Sequence, residues 1–312
     1  MHGRPLHFPP GTYDWAVQPL GSDDFPESAK DEDDEFGSTE VEKGRTMFSA
    51  MVNLTKILAD VLQGLYSTRA ESEIASALDR TKFVLGKVKE HQIKLKRWYE
   101  ELPESLRMSS NSKIGKLSSI GWLHTSYWSV GMSLHRAVLH SLTANTDPYL
   151  IQVCRSAAKE RLGGAIELFN QLRPEQLQSF WYFASSFNIA LIGVFSALCM
   201  ATSLDQDEAE YYQQQLQAYR WRLRVSSKNV EFLAGAVQML EKAVGSMLKR
   251  SERKSSDGTL QAFMTALSPV AVSPPEPTSY SIASFEQYVP DPSDLFLAES
   301  TNSRDYMSFE SF

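Results

Sequence analysis

The sequence predicts an all-α protein, with a single multi-helix domain of about seven helices. Between residues 46 and 250, apolar residues recur at three- and four-residue spacing, and no segment alternates as a strand does. The chain has 312 residues, 42% of them hydrophobic, which is enough to bury a sizeable core. Outside this region the sequence is polar and acidic, so we expect a disordered N-terminal segment and a disordered C-terminal tail.

The first three helices are separated by recognisable breaks. Helical spacing begins near Thr46 and continues to Tyr66. A second helix is predicted from Glu71 or Ser72 to Leu102, where Pro103 ends it because the residue before proline avoids helical geometry. A loop rich in Ser and Asn then leads to a third helix over about 119–144.

Proline residues and capping side chains mark the starts of the remaining helices. Asp147 before Pro148 marks the start of the fourth helix, and Pro174 ends it and begins the fifth. Asp205 or Asp207 supplies the capping side chain of the sixth helix, and Ser226 or Ser227 that of the seventh. These signals predict helices over about 148–172, 176–204, 205–224 and 226–248.

Composition divides the chain into four parts. Residues 1–45 hold eleven acids and four bases, and residues 276–312 hold seven acids and one base. The net charge is −7, so the residues between these acidic arms are mildly basic. We expect an irregular acidic segment over 1–45, an all-α domain over 46–254, a Pro/Ser-rich linker over 255–279 and a disordered acidic-aromatic tail over 280–312.

The stretch from Gln176 to Leu204 contains no charged residue and no histidine. It is long enough to span a membrane, yet it carries many Ser, Asn and Gln side chains, and neither a second such stretch nor a flanking basic cluster accompanies it. We therefore favour a buried central helix over a membrane span and expect no membrane association.

Few motifs indicate chemistry. Cys154 and Cys199 lie in apolar helical surroundings, which predicts buried free thiols, and the six histidines lack the spacing of a metal site. The acidic run from Asp31 to Glu35 lies between Pro26 and Gly37, which favours a solvated loop. No phosphate loop, dinucleotide motif or nucleophile elbow occurs, so we do not expect an enzyme.

Two groups of basic residues have alternative interpretations. His135 and Arg136 form either a binding pair or the border of a core helix, with Arg136 capping or salt-bridged. Lys249, Arg250, Arg253 and Lys254 form either a nuclear-import patch or a complement to the negative C-terminal end of a helix.

Several short motifs, in order, give a family resemblance. They are Gly3-Arg4-Pro5 before an acidic segment, Leu95 and Trp98 before Leu102-Pro103, Leu134-His135-Arg136, and Cys154-Arg155-Ser156-Ala157-Ala158. In this order they resemble the regulatory middle region of fungal zinc-cluster transcription factors, although Ala137 stands where the family usually has proline. The resemblance covers about residues 1–250.

The resemblance implies a nuclear regulator of transcription whose partners are the transcription machinery and a small-molecule inducer. The family's six-cysteine zinc module is missing, so we expect no cofactor in this chain and DNA contact only through a module that it lacks. A truncated gene model, a fragment or a diverged paralogue would each explain this. An all-α small-molecule-binding protein or a helical enzyme of another class is the alternative.

The last thirty residues alternate acids with bulky apolar side chains, as activation segments do. The residues that we expect to contact a partner are Phe285, Leu295, Phe296, Leu297, Tyr306, Phe309 and Phe312.

Overall fold

The computed structural model describes residues 35–108 and 119–252, and within these two ranges the regular structure is helical, without strands. This confirms the all-α prediction. In chain order the helices are α1 (Glu35–Tyr66), α2 (Thr68–Ser76), α3 (Arg80–Glu100), α4 (Ile120–Ser141), α5 (Pro148–Gln171), α6 (Pro174–Leu177), α7 (Ser185–Ala201), α8 (Gln206–Ser226) and α9 (Glu231–Glu252), with short 3₁₀ turns at Glu104–Leu106 and Ser227–Asn229.

Two of the aspartates predicted to begin helices do cap them. The Asp147 carboxylate accepts a hydrogen bond from the N–H of Leu150 at 3.1 Å, which caps α5. The Asp205 carboxylate accepts one from the N–H of Glu208 at 2.8 Å, which caps α8. Each cap satisfies a backbone donor that the first turn of a helix leaves without a partner.

α1 begins at Glu35, well before the start near Thr46 that the apolar spacing predicts. The segment from Glu35 to Arg45 lacks an apolar stripe, so periodicity gave no signal there. No proline occurs between Pro26 and Pro103, and good helix formers such as Glu40 and Lys43 lie in this segment, so the helix can extend. Glu35, predicted to lie in a solvated loop, is therefore helical.

The predicted second helix is divided into α2 and α3. Ala77 leaves helical geometry with ψ of 136°, and Asp79 caps the next helix by accepting the N–H of Lys82 at 2.9 Å. Between them Leu78 is fully exposed. An aspartate inside an otherwise periodic segment was the signal for this break.

The predicted helix over 176–204 is also divided. α6 ends at Leu177, residues 178–184 are not helical, and α7 begins at Ser185. α7 is buried as predicted, with Ile192 only 1% exposed. The expectation that the whole stretch is buried is wrong, because aromatic side chains before α7 lie at the surface. Within the described residues, no helix combines the length and apolar character that a membrane crossing requires.

The core consists of two apolar clusters that share α4. The N-terminal cluster joins α1, α2, α3 and the start of α5 to α4 and includes Leu54, Leu95 and Leu134. The C-terminal cluster joins α5, α7, α8 and α9 to α4 and includes Met132 and Phe195. Sixteen of the 22 residues of α4 are buried, because both sides of this helix are covered by neighbours.

The two cysteines are free and buried, as predicted. Cys154 belongs to the N-terminal cluster and Cys199 to the C-terminal cluster. Burial raises the pKa of the Cys199 thiol to about 12, so this thiol is protonated and unreactive at neutral pH.

Candidate functional site

The site residues named from the sequence lie almost entirely outside the described part of the chain. All seven tail residues proposed as contacts fall at 285–312, and Arg253 and Lys254 follow the last described residue. Lys249 and Arg250 lie near the C-terminal end of α9. The described structure therefore brings none of these residues together, and their roles remain predictions.

The most distinctive surface of the described residues is aromatic. Phe180 and Phe183 are 68% and 71% exposed, and Tyr182 and Phe187 are exposed as well. We call these four residues the aromatic surface. The Tyr182 ring lies 4.4 Å from that of Phe183 and 6.0 Å from that of Trp122, between ring centroids, so the surface continues onto α4.

Trp181 holds this segment to the body of the protein. Its ring stacks on Phe232 of α9, with centroids 4.5 Å apart and planes at 17°, and its indole N–H donates to the carbonyl of Gln176 at 2.8 Å. Gly121 of α4 leaves room for this ring, because a Cβ there would come within 3.2 Å of it. With Trp181 turned inward, its neighbours Phe180 and Tyr182 are directed outward.

The aromatic surface lies within the stretch that lacks charged residues, and large exposed apolar patches are typical of surfaces that contact another apolar surface. This surface is hard to predict from the sequence, because a run of bulky apolar residues usually indicates a core. A signal was present: four consecutive aromatic side chains follow a proline-initiated turn, and one helix face cannot bury all four.

His135 and Arg136 do border the core helix, but Arg136 is neither capping nor salt-bridged among the described residues. Its guanidinium lies 5.7 Å from the centroid of the Tyr66 ring. The Tyr66 hydroxyl donates to the carbonyl of Ser133, and burial raises its pKa to about 12 despite the nearby Arg136. Burial, and then the charge of Arg161 on α5, lower the pKa of His135, and no sequence motif indicates Arg161.

Within residues 35–108 and 119–252, no group of three or more His, Cys, Asp and Glu side chains could hold a metal ion. A depression at the turn between α2 and α3 is lined by Glu73, Leu78, Asp79 and Phe83 and is open to solvent. Neither observation singles out a catalytic centre in this part of the chain.

Comparison with known proteins places the chain near fungal regulators of transcription. It is 36% identical over 194 residues to the transcriptional activator protein DAL81 of Saccharomyces cerevisiae. It is also 35% identical over 98 residues to an uncharacterised transcriptional regulatory protein of Schizosaccharomyces pombe. No family model and no solved structure matches the chain.

The coverage of these matches is unequal. The matched residues are 62% of this chain but only 20% of the activator, and 31% of this chain but 12% of the second protein. The chain therefore spans a small part of the curated relatives that it matches. These similarities confirm the predicted resemblance to fungal transcription regulators.

Proposed function

We propose that this chain is the effector and regulatory part of a fungal transcription regulator, acting in the nucleus. The observation that carries the proposal is the similarity to a transcriptional activator over 194 residues, well beyond the length of a single short motif. The all-α body and the acidic arms on either side of it support the same proposal. Both relatives carry names that describe regulators of transcription.

In this proposal the C-terminal tail is an activation segment that recruits the transcription machinery. Neighbouring acids keep bulky apolar side chains accessible, so that these side chains can enter an apolar groove of a partner. The basic residues at the end of α9 and just beyond it, Lys249, Arg250, Arg253 and Lys254, form the proposed nuclear-import patch. The helical body receives a small-molecule signal, and DNA contact is supplied through a separate zinc-cluster module.

The tail is tested by fusing residues 276–312 to a heterologous DNA-binding domain in a fungal reporter strain. We expect the fusion to activate transcription, because its apolar side chains would bind the transcription machinery. Replacing Leu295, Phe296 and Leu297 together by Ala should lower reporter activity several-fold, since this removes the largest consecutive apolar contact.

The matched control keeps the composition of the tail and shuffles its order while retaining the mixture of acids and aromatics, and this control should stay active. Equal expression of all fusions is checked on immunoblots. A silent wild-type fusion, or a triple Ala variant as active as the wild type, would contradict the proposed activation segment.

A further inference from the structure

Among the residues that the structure describes, two half-buried arginines have no counter-charge. Arg136 and Arg161 form no ion pair and no hydrogen bond with any described residue, although both are shielded from solvent over much of their surface. Taking a cation partly out of water is unfavourable unless a partner compensates it. An ion pair therefore does not explain why these two charges are partly buried.

Other buried arginines in the same fold are paired with glutamates. Arg155 lies 2.9 Å from Glu208, and Arg220 lies 2.6 Å from Glu241. At these two positions the protein follows the usual rule that a buried charge is paired. Arg136 and Arg161 depart from that rule.

The two exceptions differ in their position along a helix. Arg136 lies one turn before the last turn of α4, where the effect of the helix end has largely fallen off. Arg161 lies in the middle of α5, far from either terminus, so no helix end compensates it. A helix end therefore compensates neither charge, and the two arginines differ in their surroundings: Arg136 lies over one aromatic ring and Arg161 over two.

The Arg161 guanidinium is held in a defined place. It lies 4.8 Å from the ring centroid of Trp128 and 5.7 Å from that of Tyr127, both on α4. It also lies over Gly131, where a Cβ would come within 3.1 Å of it. The two rings and the bare glycine backbone fix the guanidinium while its N–H donors keep their hydrogen-bonding capacity.

His135, one turn after Gly131, adds a second polar group at the same place. Burial, and then the positive charge of Arg161, lower the pKa of His135 from 6.5 to about 3. The imidazole is therefore neutral at neutral pH and keeps one N–H donor and one acceptor nitrogen.

We propose that Arg161 and His135 form a binding site for a small oxyanion, a carboxylate or phosphate group of an organic ligand, between α4 and α5. The guanidinium fork matches the two oxygens of such a group, and the neutral imidazole donates a further hydrogen bond. The site gives the small-molecule signal of the proposed function a chemical class and a location, and in this respect it rests on that proposal.

The site is tested on the purified full-length chain, so a negative result here is distinct from a silent tail fusion. Thermal unfolding is followed with inorganic phosphate, with succinate and with sodium chloride at equal ionic strength and neutral pH. We expect a saturable rise in Tm of several degrees with at least one of the two oxyanions over chloride. The oxyanion that gives the rise identifies whether the ligand group is phosphate or carboxylate.

Arg161→Gln should abolish this rise, or weaken the affinity by at least about tenfold, because it removes the charged fork. Lys159→Gln is the matched control: Lys159 lies on the same helix, also has its ammonium over an aromatic ring, 4.0 Å from the centroid of Tyr211, and is exposed to solvent. The control is needed because oxyanions such as phosphate stabilise many proteins without binding to a site.

Gly131→Ala gives a second measurement that does not depend on the folding of the Arg161 variant. The added methyl group displaces the guanidinium by a few tenths of an ångström, so the affinity should fall while the charge is retained. Equal rises in wild type, Arg161→Gln and Gly131→Ala, or no rise over chloride in the wild type, would overturn the proposal.

Discussion

Gly163 and Gly164 are neighbours in α5, yet their surroundings are different. A Cβ at Gly163 would meet no atom within 4 Å, whereas a Cβ at Gly164 would overlap the indole ring of Trp128. The missing side chain at Gly164 therefore allows α5 to approach α4 closely. The same indole supports the guanidinium of Arg161, so this one close approach also shapes the proposed anion site.

Alanine at these two positions should have opposite effects on the free energy of unfolding. Gly163→Ala should raise it by about 0.5–1 kcal/mol, because Ala restricts the unfolded chain and favours the helix. Gly164→Ala should lower it by about 1–3 kcal/mol, because Trp128 must move in a packed interface. Urea unfolding followed by circular dichroism measures both variants, and a shift of the same sign in both would contradict this account of the helix contact.

The sequence contains only part of the reason that Arg161 is an exception. Ala157, Ala158, Gly164 and Ala165 occupy the positions three and four residues away, so local spacing predicts no ion pair within α5 but does not exclude a partner on another helix. The structure instead turns the guanidinium towards Trp128, which is 33 positions earlier in the chain. Which charges remain unpaired depends on such long-range packing, and local spacing does not contain that information.

The segment before α7 shows how elements differ from their sequence pattern. The uncharged stretch suggested one long buried helix, but only α7 fills the core, and residues 178–184 form a non-helical connection. Hydrophobic composition predicted burial correctly for Ile189 and Ile192 and wrongly for Phe180 and Phe183. The cap residues Asp147 and Asp205 were predicted correctly because a cap is a local interaction.

Within this segment, adjacent aromatic residues should contribute very differently to stability. Trp181→Ser should lower the free energy of unfolding by about 2–4 kcal/mol, because it removes the stack on Phe232 and the indole hydrogen bond. Phe183→Ser should change it by less than about 0.5 kcal/mol, because this side chain is mostly exposed.

Chemical denaturation of the two single variants measures the difference. Phe180→Ser serves as a second exposed control and should behave like Phe183→Ser. A large loss of stability in both exposed variants would mean that the aromatic surface is covered in the folded chain.

At the scale of the whole molecule, the two apolar clusters are joined through α4. Leu134 contributes to one cluster and Met132 to the other, and Trp128 packs against both. Loss of either cluster leaves half of α4 facing water, which exposes a large apolar area. The two clusters should therefore unfold together rather than one after the other.

The two native cysteines can show whether the clusters unfold together, since Cys154 lies in one cluster and Cys199 in the other. Thiol labelling across a urea series, read for each cysteine by mass spectrometry, should give the same midpoint for both. Single Cys→Ser variants control for any effect of one label on the other. Midpoints separated by more than the error of the fit would show that the clusters are independent units.

The periodicity of the chain predicted the helical class of the whole molecule, because every long helix has an apolar face. It did not predict that the core has two parts. Tyr127 and Trp128 look alike in sequence, yet Tyr127 stacks with Trp98 of α3 while Trp128 lies against Gly164 of α5. That assignment depends on how α1, α3 and α5 surround α4, which no local pattern specifies.

The shared position of α4 limits how this protein can be cut into pieces. A fragment starting at residue 119 would keep α4 but lose α1 and α3, and Leu123, Val130 and Leu134 would face water. A fragment ending at residue 108 would lack the helix on which its own apolar side chains pack. Neither half should be soluble when expressed alone. When the two halves are coexpressed, both should become soluble, because together they can rebuild both clusters around α4.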